Sequence, residues 1–269
     1  MSLKIVVLAK QVPDTRCVGK DAMNADGTIN RAALPAIFNP EDLNALEQAL
    51  RLKDTHPGST VTILTMGPGR AAEIIREGLY RGADNGYLLT DRAFAGADTL
   101  ATSYALATAI RKIGEYDIIV GGRQAIDGDT AQVGPQIAEK LGVPQVTYAQ
   151  KIDVDGKKVT VQRQLEDGYE TIEVEMPCMI TCVKELNTPR YMNVGRIYDA
   201  YNQPERITVW GFDDVKIAED ETGLKASPTN VFTSFAPAPK GAGQILEGTD
   251  QEVVDQLIKN LVEKSYIAL

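Results

Sequence analysis

Histidine is all but missing. His56 is the single one in 269 residues, in the polar stretch Asp54-Thr55-His56-Pro57-Gly58. A lone loop histidine has no second member with which to form a proton relay or an activated nucleophile. Any redox chemistry has to be supplied by a cofactor. Cysteine is scarce as well: Cys17, Cys178 and Cys182 are odd in number and lack CxxC spacing, which indicates neither a disulfide framework nor a zinc site. Cys178 and Cys182 lie in the apolar segment Met176 to Val183 and read as small buried hydrophobes. Basic residues are outnumbered, 28 Lys and Arg against 37 Asp and Glu, for a net charge of -9. That balance argues against a nucleic-acid partner, which needs clustered positive charge. No apolar run approaches the roughly 20 residues that span a bilayer, so no membrane insertion is expected. The opening Met1-Ser2-Leu3 and Lys4 to Ala9 are too short and too poorly flanked for a signal peptide. A cytoplasmic location is the expectation.

What is present is a strand–helix grammar. Lys4 to Ala9 is a short continuous apolar run, as in a buried parallel strand, and Lys10 to Asp14 reads as its exit loop. Asn39-Pro40-Glu41-Asp42 opens a helix with a capping asparagine, proline at the first helical position and acids in the first turn. Leu43, Leu46 and Leu50 give it an apolar face. Val61 to Leu64 is the second strand. Gly67-Pro68-Gly69-Arg70-Ala71-Ala72 follows and opens a helix with Ile75 and Leu79 on one side. That turn matches a loose dinucleotide fingerprint, or is a plain tight turn. Tyr87 to Thr90 is a third strand. Asp98 then caps a helix with Leu106 and Ile110 inward, and Thr99, Thr102 and Ser103 place three hydroxyls in its first turns. Those hydroxyls could hold a phosphate, or be the ordinary company of a helix start.

The most informative run is Gly121 to Gln136, directly after the apolar run Tyr116 to Val120. It reads as strand, glycine-rich turn and helix start, a combination that brings backbone N–H groups to an anion. Asp129 and Gln132 have capping-box spacing. Pro135 is comfortable only in a first turn, so the regular helix is expected near Gly134 after an irregular turn. Any βα loop of an open sheet would share these features.

Four strand–helix units before Pro144 imply an α/β fold: an open, mostly parallel, Rossmann-like sheet with helices on both faces. Beyond Pro144, turn signals at Val154 to Lys157 and Glu166 to Tyr169 separate the alternating runs Val159 to Arg163 and Thr171 to Met176, an antiparallel ribbon. Met179 to Val183 returns to the core, residues 185–201 form a loop and a short helix, and Ile207 to Phe212 is a last strand. A nucleotide-binding domain over 1–221 and a C-terminal arm over 222–269 are expected, the arm being rich in Gly, Pro, Ser and Thr. Thr249 and Glu252 form a capping box ahead of an amphipathic helix carrying Val253, Val254, Leu257, Ile258, Leu261 and Val262. That face is to be buried on its own domain or on a partner.

Several separated motifs, in order along nearly the whole chain, resemble the β subunit of electron transfer flavoproteins. They are Ala9-Lys10-Gln11-Val12, Asn39-Pro40, the Gln124 to Gly134 loop, Asn187-x-Pro189-Arg190-Tyr191, and Arg163, Gly168 and Glu170 before it. The resemblance implies a heterodimer with an α subunit that holds the electron-carrying flavin, and a β-subunit site for AMP or a second FAD. It implies that Ala9, Lys10, Asn39, Met66 and Gly67 line that site, with Gly122, Arg123, Gln124, Ala125, Ile126, Asp127, Gly128, Asp129, Thr130, Ala131, Gln132 and Val133. Asn187, Pro189, Arg190, Tyr191 and Val194 are similar to a recognition loop that docks on acyl-CoA dehydrogenases, and the arm to the segment that embraces the α subunit. Asp98, Thr99, Ala101, Thr102 and Ser103 look like the additional pyrophosphate-binding segment of a group that binds FAD and bifurcates electrons from NADH. One electron goes to ferredoxin or flavodoxin, the other to the α-subunit flavin. A single-flavin carrier with structural AMP is the alternative. A stand-alone NAD-dependent dehydrogenase, suggested by the Gly67 to Ala72 turn, is the competitor of another class.

Overall fold

The structure, a computed structural model, describes residues 1–14, 16, 34–229 and 241–268. Cys17 and the turn signal of the dipeptide Asp26-Gly27 lie outside them. The chain divides into two units, meeting between residues 233 and 234.

In the first unit, in chain order, β1 (Lys4–Leu8), β2 (Gln11–Pro13), β3 (Ala36–Phe38) and α1 (Pro40–Thr55) are followed by β4 (Thr60–Met66), α2 (Ala72–Arg81), β5 (Asn85–Leu89), α3 (Thr99–Ile113), β6 (Ile118–Gly122) and α4 (Val133–Leu141). Then come β7 (Gln145–Asp155), β8 (Lys158–Leu165), β9 (Gly168–Glu175), β10 (Cys178–Cys182), α5 (Val194–Asn202), β11 (Ile207–Trp210) and α6 (Phe212–Val215). Nine strands form one sheet in the order β11-β5-β4-β1-β6-β10-β7-β8-β9. All neighbours are parallel through β7, and β8 and β9 extend the sheet antiparallel.

Strand alternation explains the layers. On β1, Ile5 and Val7 pack with Leu46 and Leu50 of α1 and Ile75 and Leu79 of α2. Val6 and Leu8 face the other way, among Leu106 and Ile110 of α3 and Ile137 of α4. A strand buried on both faces has no use for polar alternation, which is why β1 reads as a continuous apolar run. The chain leaves β1 toward β4 on one side and returns to β6 on the other. The carboxyl ends of β1 and β6 therefore flank a topological switch point, the usual ligand crevice of such sheets.

Three expectations need correction. The exit Lys10 to Asp14 is not only loop, because Gln11–Pro13 pairs antiparallel with Ala36–Phe38 in a second small sheet. Asn39 does not cap α1 with its side chain. The stretch after Pro144 contains β7, eleven residues long, parallel to β10 at its start and antiparallel to β8 at its end. Its register shifts beside β10, where Tyr148 adopts φ 57°, a bulge that bends the strand and that no turn residue announces. Elsewhere the helix after β6 starts at Val133 and α5 follows the 185–193 loop, both as expected; the last strand forms over Ile207–Trp210, beside β5, and stops short of Phe212, which opens α6. Cys178 and Cys182 are buried free thiols, and burial pushes the Cys178 thiol up to about 12.

In the second unit, α7 (Asp250–Glu263) is opened by Glu252, whose carboxylate accepts both the N–H and the hydroxyl of Thr249. Its residues Val254, Leu257, Ile258 and Val262 are exposed. No helix among the described residues is long and apolar enough to cross a membrane.

Candidate functional site

At the switch point, the first turn of α1 reaches into the loop that leaves β6. Asn39 is fully buried. Its amide donates to the Gln124 carbonyl at 2.8 Å, and its oxygen accepts the Ile126 N–H at 3.1 Å. Glu41 accepts the Gln124 N–H at 3.1 Å and pairs with the Arg123 guanidinium at 2.9 Å. Asp42 takes the Lys10 N–H on one oxygen and the Gly122 N–H on the other, both at 2.9 Å, so it joins the exits of β1 and β6. Burial pushes the Asp42 carboxyl up to about 7 against these two N–H donors. Burial also raises Glu41, with the Gln124 N–H and Arg123 opposing it. At Gly122 a Cβ would stand 2.5 Å from Asp42 Oδ1 and 2.8 Å from the Asp42 nitrogen. Only glycine permits the approach.

The rest of the loop is irregular. The amides of Gly128 and Asp129 both donate to the Ala125 carbonyl. Asp129 and Ala131 take left-handed φ values of 49° and 53°, a conformation that costs a non-glycine residue and that clusters at ligand sites. The expected Asp129–Gln132 capping box does not form. Asp129 accepts from the Gln124 amide at 2.8 Å instead, and the Gln132 oxygen accepts the Thr99 hydroxyl at 3.0 Å. Gln136 also reaches Thr99, at 3.5 Å. The start of α3 thus lies against the start of α4. Val133 and Gly134 open α4, where backbone amides have no partner within the helix, and Pro135 has none to offer.

The structure sorts the sequence candidates. Lys10, Asn39, Gln124, Ile126 and Asp127 meet directly, Lys10 Nζ pairing with the nearly buried Asp127 at 2.7 Å. Ala9 donates its N–H to Leu64 at the adjoining strand end, and Gly67 donates to Leu89. Met66 turns into the core on the α3 face. At α3, Asp98 caps the helix by accepting the N–H groups of Leu100 and Ala101, so those amides are already engaged. The Ser103 hydroxyl is wholly buried and returns to the Leu100 carbonyl. Of the three hydroxyls expected to face an anion, that of Thr102 is left, because Thr99 gives its one proton to the Gln132 oxygen. Thr102 is half-buried, and Gly128, Asp129 and Thr130 are exposed. Nothing lies within 4 Å of where a Gly128 Cβ would be. The Val133 and Gly134 amides, which have no partner within the helix, could take the oxygens of an anion.

The remaining candidates, Asn187 to Val194, gather elsewhere, on the middle of α1 and the end of α2. Glu41, Asp42, Asn44 and Glu47 were not foreseen as anything beyond first-turn acids and helix surface. Their signal was present: a helix bearing Asp42, Asn44, Glu47 and Gln48, all of them buried, needs partners for those side chains.

Comparison with known proteins identifies the family. The electron transfer flavoprotein domain matches residues 26–206. The chain is 54% identical over 266 residues to "Caffeyl-CoA reductase-Etf complex subunit CarD" of Acetobacterium woodii, covering 98% of this chain and 100% of that one. It is 52% identical over 272 residues to "Acryloyl-CoA reductase electron transfer subunit gamma" of Anaerotignum propionicum, with the same coverage. It is 50% identical over 265 residues to "Electron transfer flavoprotein subunit beta" of Thermoanaerobacterium thermosaccharolyticum, again covering 98% and 100%. The chain belongs to the electron transfer flavoprotein β-subunit family.

Proposed function

We propose that this chain is the small subunit of a heterodimeric electron transfer flavoprotein and that it holds FAD at the switch-point crevice. The observation that carries the choice of FAD is the contact of the α3 and α4 starts through Thr99, Gln132 and Gln136. Two helix starts side by side suit a pyrophosphate better than the single phosphate of AMP. Caffeyl-CoA and acryloyl-CoA reductases, named in the relatives, support an electron-carrying role toward an acyl-CoA dehydrogenase or reductase.

FAD held there would supply the redox chemistry, between NADH as donor and two acceptors: ferredoxin or flavodoxin, and the dehydrogenase by way of the α-subunit flavin. The residues of this chain bind and orient. Asn39, Glu41 and Asp42 fix the loop 122–126, the Val133 and Gly134 amides take the anionic oxygens, and Leu8 packs against Gly121 at the neighbouring strand ends. The exposed face of α7 docks on the α subunit, and residues 187–195 dock on the dehydrogenase.

The test is to co-express the chain with its α subunit, denature the purified heterodimer and quantify released nucleotide. About two FAD per heterodimer without AMP supports the proposal and leads to assays of NADH-dependent ferredoxin or flavodoxin reduction. One FAD with one AMP sinks it, leaving a single-flavin carrier.

A further inference from the structure

The segment 187–194 is pinned at three points. Asn187 exchanges hydrogen bonds with Asn44 of α1: the Asn44 amide donates to the Asn187 carbonyl at 2.7 Å, and the Asn187 amide donates to the Asn44 carbonyl at 3.0 Å. Arg190 turns its main-chain N–H, its Nε and its Nη2 onto α1. Its N–H donates to Glu47 Oε2 at 3.0 Å, its Nε to the same oxygen at 2.8 Å, and its Nη2 to Oε1 at 3.3 Å. Nη2 also reaches Asp54 at 2.8 Å, and the Arg190 carbonyl accepts from Arg81 of α2. Asn193 donates its N–H to the Tyr80 carbonyl at 2.9 Å, and its side chain accepts the Arg196 N–H at the start of α5.

Between and beside these pins the apolar side chains have only outward directions. Tyr191 is 96% exposed and Val194 81%, with Met192 also exposed. Such exposure of large apolar groups on anchored backbone marks an interaction surface. Glu47 is the centre of the arrangement: its carboxylate is 5% exposed and also accepts from Arg51 at 2.9 Å. Burial alone would raise it, but the bonds from Arg190 and Arg51 outweigh burial and hold it below its ordinary value.

We propose that Glu47, assisted by Asn44, is a positioning residue for partner docking: it fixes Arg190, so that Arg190 and Asn187 shape the loop while Tyr191, Met192 and Val194 make the contact. This rests on the assignment of residues 187–195 to dehydrogenase docking, and it moves two residues of the motif from contact to support. A carboxylate that grips both the main chain and the guanidinium of one residue lowers the freedom the loop has to lose on binding.

The experiment uses the αβ complex and a purified short-chain acyl-CoA dehydrogenase as the electron acceptor, varied in concentration. Glu47→Gln should raise the KM for the dehydrogenase roughly tenfold with kcat nearly unchanged, and bound nucleotide should stay at the wild-type level. Arg190→Gln, on the partly exposed side of the pair, gives a second measurement should Glu47→Gln fold poorly, and the same KM rise is expected. The double variant should be no worse than either single one, because both remove the same interaction. Val194→Asp, which leaves every pin intact, tests the docking assignment separately. A raised KM in Val194→Asp with wild-type values in Glu47→Gln and Arg190→Gln overturns the positioning role alone. An unchanged KM in Val194→Asp overturns the docking assignment and the proposal with it.

Discussion

Asn39 offers the sharpest test of the clamp at the switch point. Its side chain makes one donated and one accepted bond to the same loop, at 2.8 Å and 3.1 Å, with no solvent exposure. Each such bond contributes about 0.5–1.5 kcal/mol net, so Asn39→Ala should weaken the preorganised loop by about 1–3 kcal/mol. If that loss falls on nucleotide binding, the Kd rises roughly 5- to 150-fold at about 1.4 kcal/mol per decade. Asn39→Asp is the more discriminating change. The acceptor facing Ile126 survives, but the donor facing the Gln124 carbonyl becomes a second oxygen, buried and without a proton to give. A charged group buried against a carbonyl costs more than a cavity that water can enter, so the aspartate variant should bind more weakly than the alanine one. The assay is titration of nucleotide-stripped heterodimer with FAD, followed by flavin fluorescence, alongside thermal midpoints of the stripped protein. An Asn39→Asp complex with wild-type affinity would refute the clamp.

Gly122→Ala should lower stability by about 2–4 kcal/mol in urea unfolding, because the added methyl overlaps Asp42 and severs its bond to the loop. Gly128→Ala meets nothing within 4 Å, so its unfolding midpoint should match the wild type while FAD affinity falls if the cofactor passes over that backbone. Asp42 titrates near 7 in the folded chain against 3.8 as its ordinary value. The folded state holds this proton more tightly than the unfolded one, so the contribution is complete below about pH 4 and is lost as the pH rises through 7. Asp42→Asn lacks that titration, and its stability deficit relative to wild type should narrow by about 2–3 kcal/mol between pH 5 and pH 8, read from denaturant melts at matched ionic strength; a constant deficit contradicts the buried protonation. Leu257→Asp on the exposed face of α7 should abolish co-purification of the α subunit without shifting the thermal midpoint of this chain, and an intact heterodimer on size exclusion contradicts that docking face.

Legibility followed periodicity. The apolar runs of β1, β4 and β6, the stripe of Ile75 and Leu79 and the Asp98 cap were all readable because each depends on neighbours a few residues away. β7 was not: its direction is decided by β10 on one side and β8 on the other, and a left-handed Tyr148 in mid-strand has no local signal. Candidate residues were legible as positions and less so as roles. Asn39 looked like a cap, yet its bonds go to a loop 85 residues on. Ser103 looked like a ligand hydroxyl, and it closes a turn of its own helix. Arg190 was expected as a docking contact from the resemblance of its motif, and the acid that captures it stands 143 residues earlier.

Helix α1 has 16 residues, a rod about 24 Å long at 1.5 Å per residue. Its first turn grips the crevice loop, and its later turns grip the segment that carries Tyr191 and Val194. The two regions are therefore fastened to one stiff ruler. Neither can swing without tilting the helix, and the helix is wedged against β1, β6 and β10 by Leu46 and Leu50. On the proposed function, motion that brings a dehydrogenase nearer to the cofactor carries the crevice loop and the 187–194 segment together. The span between the crevice loop and the 187–194 segment is set at folding by the length of α1.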